Sequence, residues 1–469
     1  MKDKKYELGL IGLGTMGQNL LMNMADSNFA VAGYDKDGSK VDALDEATKK
    51  YDIFAAHNIK EFISVLEKPR VVMLLVPAGK IVDYVIEDIL LMLEPGDIII
   101  DGGNSHFSDT NRRVQNLKDT GIHFVGMGIS GGAEGARLGP SMMPGGHPET
   151  WNRIKNIFEA TAAKADGEPC VAYIGEKSAG HYVKMVHNGI EYGLMELLAE
   201  AYDFMKNVLG MDNASIGGTF RKWNEGRLKS FLVEITAEIF FQKDDLTDND
   251  LIDMILDASR SKGTGKWTSQ DAMNLQAPIT LIDTAVSMRE LSGALEERQQ
   301  ASSMYSAPDM VKITDTDKVV DQLEDAIYFS FITAYAQGMG QLTKASKEYE
   351  YNLNMESIAA IWRAGCIIRA SLLEDFRAAY QKNADLENLL LDADIAKTVD
   401  SLQNNARAIA QMSIQSGVSM MGLNSAVSYF DAYRSKRLPA NLIQAQRDFF
   451  GSHTYERIDK EGKFHSNWG

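Results

Sequence analysis

Residues 6–11 read as a short buried strand that runs directly into Gly12-Leu13-Gly14-Thr15-Met16-Gly17. An amphipathic stretch at 18–26 comes next, then a second strand at 29–34 that ends at Asp35, 18 residues after Gly17. Strand, G-x-G-x-x-G, helix, strand and acidic residue is the arrangement that binds a dinucleotide. The glycines permit a tight turn and let a pyrophosphate approach a helix N-terminus, whose free N–H groups attract anions. Asp35 can accept hydrogen bonds from both hydroxyls of an adenosine ribose. The plain alternative is a glycine turn kept only for packing; the surrounding strands and the acid favour the nucleotide.

The alternation continues along the front of the chain. Residues 71–76 and 97–100 are apolar runs bounded by Pro77, Pro95 and Gly96, suited to the middle of a parallel sheet, and 124–129 looks like another. Ligands of open α/β sheets bind outside the carboxyl ends of the strands. Asn104, in DGGNS, and Ser130, Gly131 and Gly132, in GISGGAEGARLGPSMMPGG, are therefore expected to line one cleft with a nicotinamide.

From about Ser178 the strand signals thin out. Ser178 as N-cap and Gly210 as stop predict a helix of about 30 residues, roughly 45–50 Å long. Lys184, His187, Asn188, Glu191 and Tyr192 fall at i, i+3, i+4, i+7 and i+8 of it and so share one face. Met185, Val186, Ile190, Leu194, Leu197 and Leu198 take the other side. A solvated polar face would explain such a row, but it lacks the usual Lys/Glu pairs and carries a set of proton donors and acceptors. The chemistry is expected here. Gly180, Gly189 and Gly193 weaken this helix unless a cofactor or a neighbour approaches closely. The rest is helical patterning with a faint repeat. Trp223-Asn-Glu-Gly226 and Trp362-Arg-Ala-Gly365 lie 139 residues apart, and IEYGLMELLAEAY at 190–202 parallels IYFSFITAYAQGM at 327–339. In the second copy Asp321, Glu324 and Asp325 replace Lys184, His187 and Asn188, which reads as packing kept and chemistry lost.

Composition narrows the field. A formal charge of −17 argues against broad nucleic-acid or acidic-membrane binding. No run approaches the ~18 consecutive apolar residues of a membrane helix. Two cysteines, Cys170 and Cys366, without metal-type spacing, point to free thiols in a reducing cytoplasm. Eight histidines show no ligand cluster, so no metal is expected. Lys262-Gly-Thr264-Gly-Lys266 has the makings of an anion-binding turn, with Lys266 as scaffold. The final stretch is polar and rich in Arg, His and Tyr; a disordered terminus is the simple reading, yet QAQRDFFGSHTYER suits docking against another surface better.

Six motifs in order, GLIGLGTMGQNLLMNM, IIIDGGNS, GISGGAEGARLGPSMMPGG, HYVKMVHNGIEYG, SKGTGKWT and QAQRDFFGSHTYER, resemble the long form of decarboxylating 6-phosphogluconate dehydrogenases over nearly the whole chain. The resemblance implies oxidation of 6-phosphogluconate at C3 and loss of CO2 to give ribulose 5-phosphate, a step of the pentose phosphate pathway. It implies Lys184 as general base and Glu191 as general acid. Asn104, Ser130, Gly131, Gly132, His187 and Asn188 match positions around the sugar hydroxyls and carboxylate. Tyr192, Lys262, Thr264 and Arg289 match a phosphate clamp. Arg447 and His453 match tail residues that reach the partner's site in a homodimer. Gly12, Gly14, Met16, Gly17, Asp35, Lys36, Val76 and Asn104 are the expected cofactor contacts.

The expected architecture is a Rossmann-like α/β dinucleotide-binding domain at 1–177, a large all-α substrate and dimerisation domain built from a duplicated helical unit at 178–437, and a tail at 438–469. One departure bears on the cofactor. NADP-preferring relatives usually carry Asn-Arg-Thr after the second strand; here the run is Asp35-Lys36-Asp37. A carboxylate about 4 Å from a phosphate repels it by about 4 kcal/mol per charge pair at an effective dielectric near 20. Lys36 recovers part of that, and Pro77 replaces a common lysine. NADP or NAD are both carried forward, with a tilt toward NAD or dual use. Two other readings stay open: a β-hydroxyacid dehydrogenase acting on an unphosphorylated acid, and a nucleotide sensor that has lost turnover.

Overall fold

The computed structural model describes residues 5–47 and 51–468. Strands β1 (Leu8–Ile11), β2 (Val31–Tyr34), β3 (Ile53–Ala56), β4 (Val71–Leu74), β5 (Ile98–Asp101), β6 (His123–Ser130) and β7 (Ser141–Gly145) form one sheet in the order 3-2-1-4-5-6-7. All neighbours are parallel except β7, which runs antiparallel to β6. Leu8, Leu10, Met73, Ile98 and Ile100 enter the core on one face; Ile11, Val72, Leu74 and Ile99 enter the core on the other. Burial on both faces is why these strands read as unbroken apolar runs. Strand order reverses between β1 and β4, and the crevice at their carboxyl ends is where such sheets take ligands. Helix α1 (Thr15–Asp26) starts there.

Helix α2 (Ala179–Asn207) is the predicted long helix, one residue short of the expected 30 and about 44 Å in length. Ser178 stands at its N-cap but does not cap with its side chain; its hydroxyl instead meets the Tyr351 phenol at 2.8 Å. The first two turns of α2 lie against β6 and β7 with backbone on backbone. A Cβ at Gly180 would sit 2.1 Å from Met143 O and 2.2 Å from Gly126 O, and one at Gly128 would sit 2.3 Å from Lys184 Cβ. Gly189 and Gly193 are filled by Thr268 and Leu281 in the same way. Packed neighbours, not a cofactor, account for all three interior glycines.

Beyond α2 the body is helical, including α3 (Thr264–Asn274), α4 (Thr280–Ser292), α5 (Thr316–Glu348) and α6 (Met421–Tyr433). Helix α5 crosses α2 where Gly338 admits Ile190. The two Trp motifs meet in the fold: Trp223 and Trp362 are both buried, and the segments that follow them pair reciprocally. Phe231 N donates to Arg369 O at 3.0 Å, and Ser371 N donates to Lys229 O at 2.9 Å. The second-copy acids Glu324 and Asp325 pair with Arg227 of the first copy.

Helix α6 has no side-chain cap of its own. Buried Glu200 of α2 supplies it, accepting from Gly422 N at 2.5 Å and Leu423 N at 3.0 Å. Burial pushes its carboxyl up to about 8 while those two amides pull it down. A folded-state value above the ordinary 4.5 means that the folded chain keeps a proton the unfolded chain releases. Stability from this group is full below about 4.5 and is lost as pH rises toward about 8. The melting temperature of the native chain should therefore fall relative to Glu200→Gln as pH goes from about 5 to 8.5. Parallel curves would show that Glu200 does not titrate there.

The tail is ordered, contrary to the simple reading of its composition. Helix α7 (Ala440–Gly451) and a hairpin of Tyr455–Glu456 with Lys463–Phe464 close around buried Asp448. That carboxylate accepts from Thr454 N, Ser466 N, Trp468 Nε1 and the His465 ring at 2.8–3.1 Å. Burial tends to raise its pKa, but these donors win and hold it at about 2. Leu442, Ile443, Phe449 and Phe450 remain exposed on this unit.

Candidate active site

The polar face of α2 forms a connected row. Lys184 Nζ donates to Asn188 Oδ1 at 2.7 Å and lies 3.4 Å from His187 Nδ1. His187 Nδ1 is in turn 3.9 Å from Glu191 Oε2, and its Nε2 meets Ser130 Oγ at 3.3 Å. Lys184 is 6% exposed and His187 is 0%. Burial pulls the Lys184 ammonium below the ordinary lysine range, with Glu191 and Cys366 opposing it. Burial raises the Glu191 carboxyl, against Lys184 and Arg289. His187 is driven well below its usual value by burial, then by the adjacent Lys184, and is neutral. The lysine and the acid are thus shifted toward one another, as proton exchange near neutral pH requires.

This row opens into a cleft of about 590 Å³. Asn104, Ser130, Gly131 and Gly132 from the ends of β5 and β6 form one wall; Lys184, Asn188 and Glu191 form another; Lys262 and Thr264 stand at the N-terminus of α3. Gly263, at φ +94°, turns the chain so that α3 starts at Thr264 with no side-chain cap. The expected anion-binding turn is therefore a helix N-terminus, which adds its dipole to the Lys262 charge. Tyr192 packs on Gly265, and the Arg289 guanidinium stacks on the Tyr192 ring at 3.5 Å.

A second cavity of about 470 Å³ shares Gly14, Leu75, Val76 and Pro77 with the first and runs to Asp35 and Lys36. Together they make one groove over the switch point. The three glycines divide the labour: Gly12 has φ +109° and is pressed on Leu75 O, Gly17 is pressed on Gly12 O, and Gly14 has nothing within 4 Å of its missing Cβ. The α1 N-terminus is left open beside Gly14 and without a side-chain cap. A pyrophosphate fits that opening. Asp35 Oδ2 accepts from Leu13 N at 2.8 Å and Lys40 at 3.4 Å, while Lys36 is turned to Asp88 at 3.0 Å. Every expected cofactor contact, Gly12, Gly14, Met16, Gly17, Asp35, Lys36, Val76 and Asn104, lines this groove.

Five expected site residues do not line the cleft of their own chain: His187 lies behind it against Lys184 and Ser130, Arg289 stacks on Tyr192 beside it, and two others stand away on the tail. Arg447 and His453 sit exposed on the tail unit, where Arg447 meets Gln444 at 3.1 Å. Other residues join the site unforeseen. Trp267 and Ile367 line the cleft; the Trp362 ring meets His187 edge-on at 5.5 Å; Ile367 N lies 3.4 Å from Ser130 Oγ. The second copy thus contributes a wall as well as packing, and the WRAG half of the repeat was the only signal for it. Beneath Asn104, buried Asp101 accepts from Ser105 Oγ, Gly103 N and Arg113, and His181 ties Asp101 O to Thr110. Among the described residues no group of three or more His, Cys, Asp or Glu side chains is arranged to hold a metal. Nor, among them, is any helix long and apolar enough to cross a membrane.

Two family models divide the chain between them. The NAD binding domain of 6-phosphogluconate dehydrogenase matches residues 7–175, and the 6-phosphogluconate dehydrogenase C-terminal domain matches 180–468. The chain belongs to the 6-phosphogluconate dehydrogenase family. Relatives in this family include the decarboxylating 6-phosphogluconate dehydrogenase of Lactococcus lactis, 48% identical over 98% of both chains. The NADP(+)-dependent decarboxylating enzyme of Bacillus subtilis is 46% identical over 99% of both. The solved 6-phosphogluconate dehydrogenase of Plasmodium falciparum, studied with NADP+ and with 6-phosphogluconate, is similar with a TM-score of 0.96 and 41% identity, covering 98% of this chain and 100% of that one. As in the 6-phosphogluconate dehydrogenase models, an α/β nucleotide-binding part precedes a large helical part, with the boundary at the start of α2.

Proposed function

We propose that this chain oxidises 6-phosphogluconate with a nicotinamide dinucleotide and releases its carboxylate as CO2, giving ribulose 5-phosphate. The observation that carries the reading is the row of buried Lys184 with half-buried Asn188 and Glu191, facing a cleft that ends in Lys262 and the α3 N-terminus. An unphosphorylated acid would leave that cationic end without a partner, and a sensor would not need a lysine and a carboxyl shifted toward each other. Asn104, Ser130, Gly131 and Gly132 would hold a nicotinamide in this cleft, and the bound cofactor would supply the hydride acceptor. Loss of the C3 hydride requires the hydroxyl proton to go elsewhere, and neutral Lys184 takes it. The resulting ammonium donates to the new carbonyl oxygen while the C–CO2 bond breaks and its electron pair moves into an enediolate. Glu191 then gives its proton to the carbon that lost CO2. Asn104, Ser130, Gly131, Gly132, His187 and Asn188 orient the sugar acid; Tyr192, Lys262, Thr264 and Arg289 hold its phosphate.

The domain division follows the same logic: 1–177 for the nucleotide, 178–437 for substrate and dimerisation, 438–469 as an exchanged tail. The apolar side chains exposed on that tail favour a homodimer in which Arg447 and His453 reach the partner's cleft. The two buried free thiols suit the cytoplasm. Mixing the protein with 6-phosphogluconate and either cofactor, while following reduced-nicotinamide absorbance and CO2 together, tests the activity. Neither signal from folded protein would remove the reading.

For the cofactor, Asp35 stands at the ribose end with Lys36 drawn off to Asp88. NAD, or both cofactors, should be used, with kcat/KM for NAD at least equal to that for NADP. A preference for NADP of about a hundredfold, worth about 2.7 kcal/mol, would sink this expectation.

A further inference from the structure

Helix α3 carries the phosphate end of the cleft, and its position on α2 is fixed by three contacts in antiparallel register. Gly265 meets the Tyr192 ring; Thr268 fills the space over Gly189 and donates from Oγ1 to Met185 O at 2.9 Å; Asp271 accepts from the Tyr182 phenol at 2.5 Å. The first two are matters of fit. The third is unusual. Asp271 is 4% exposed, and its two oxygens are taken by two phenols, Tyr182 on Oδ2 and Tyr349 on Oδ1 at 2.8 Å, with Asn274 at 3.5 Å. No cation is among these partners. A buried carboxylate held by phenols is a costly way to join helices, since burying an ionisable group needs close compensation. Its geometric yield is high, because each oxygen is tied to a different rigid ring on a different element. Gln341 of α5 completes the lock, donating to Thr268 O at 3.0 Å and to the Tyr182 phenol at 3.3 Å.

We infer that Asp271 is a positioning residue for substrate: through Tyr182 and Tyr349 it sets α3 on α2, so that the α3 N-terminus and Lys262 stand at a fixed reach from Lys184 and Glu191. Asp271 lies seven residues along α3 from Thr264, about 10 Å away, and lines neither cavity of the groove. It acts through the helix. This rests on the reading of Lys262 and Thr264 as the phosphate clamp, and the test separates the two.

The test is titration calorimetry on the intact protein with 6-phosphogluconate and with gluconate, which lacks only the phosphate. In the native chain 6-phosphogluconate should bind far more tightly than gluconate; equal affinities would overturn the clamp reading itself. In Asp271→Asn the Kd for 6-phosphogluconate should rise about tenfold while that for gluconate stays within about twofold. A merely structural role would weaken both alike, and that result, or no change in either, overturns the inference. Should Asp271→Asn fail to fold, Tyr182→Phe removes one phenol and keeps its ring, and the same selective loss is required of it.

Discussion

Lys184→Ala is expected to lower kcat by about 10²–10⁴-fold, toward the upper end because one group serves as base and then as donor. The upper figure is about 5.5 kcal/mol of lost transition-state stabilisation. Substrate affinity should change little, since on the proposed reading Asn104, Ser130, Lys262 and Thr264 still hold the substrate and the lysine acts after binding. The pH profile gives an independent reading of the same residue. Burial lowers Lys184 and raises Glu191, and each charge opposes the shift of the other. Between their two values the pair holds one proton, which is the working state, so the limbs belong to the pair rather than to either residue. The profile of kcat/KM should be a bell lying inside the range from the ordinary Glu value of 4.5 to the ordinary Lys value of 10.5. Glu191→Gln should erase one limb. Retained turnover in Lys184→Ala would mean that another group is the base.

Arg113→Ala should cost about 3–5 kcal/mol of stability, the usual result of stripping one partner from a buried pair. Arg113 is 2% exposed and bonds to Asp101, Asp83, Ser105 and the Gly79 carbonyl at 2.8–3.2 Å. Its loss leaves the fully buried Asp101 carboxylate with one hydroxyl and one amide. Arg112 is the internal control: it pairs with the same Asp83, but its side chain is 46% exposed. Arg112→Ala should shift the denaturation free energy by no more than about 1 kcal/mol. Equal losses for the two variants would dismiss the argument. Because Asp101 also anchors the turn that carries Asn104, the folded fraction of Arg113→Ala should show a raised KM as well.

What could be read from the chain was whatever is enforced locally. The turn from β1 through Gly12, Gly14 and Gly17 to Asp35 is legible because each residue answers a constraint set within a few positions. The face of α2 is legible because 3.6-residue periodicity places Lys184, Asn188 and Glu191 together whatever surrounds them. β3 and β7 escaped. β3 is an edge strand whose first three residues are only partly buried, and β7 contains Pro144 and ends in Gly145, a composition that reads as loop. His181 and Thr110, or Asp271 and Tyr182, could not be paired, since 71 and 89 residues separate the partners. The tail was misleading for a related reason: four donors converging on Asp448 order a segment whose apolar content predicts none. For Arg447 and His453, fold within one chain supplies no contact with the cleft.

The seating of α2 on the sheet has a consequence for anyone who would recombine this protein. The four residues 176–179 look like an ideal seam, since the two family models end and begin on either side of them. Yet Gly126, Gly128 and Gly145 on one side of the seam have no space for a methyl group against His181, Lys184 and Gly180 on the other. A chimera that imports a foreign nucleotide-binding half must bring glycine at those three positions, or Lys184 arrives displaced. The halves are separable as text but were cut to fit as a lock and its key blank.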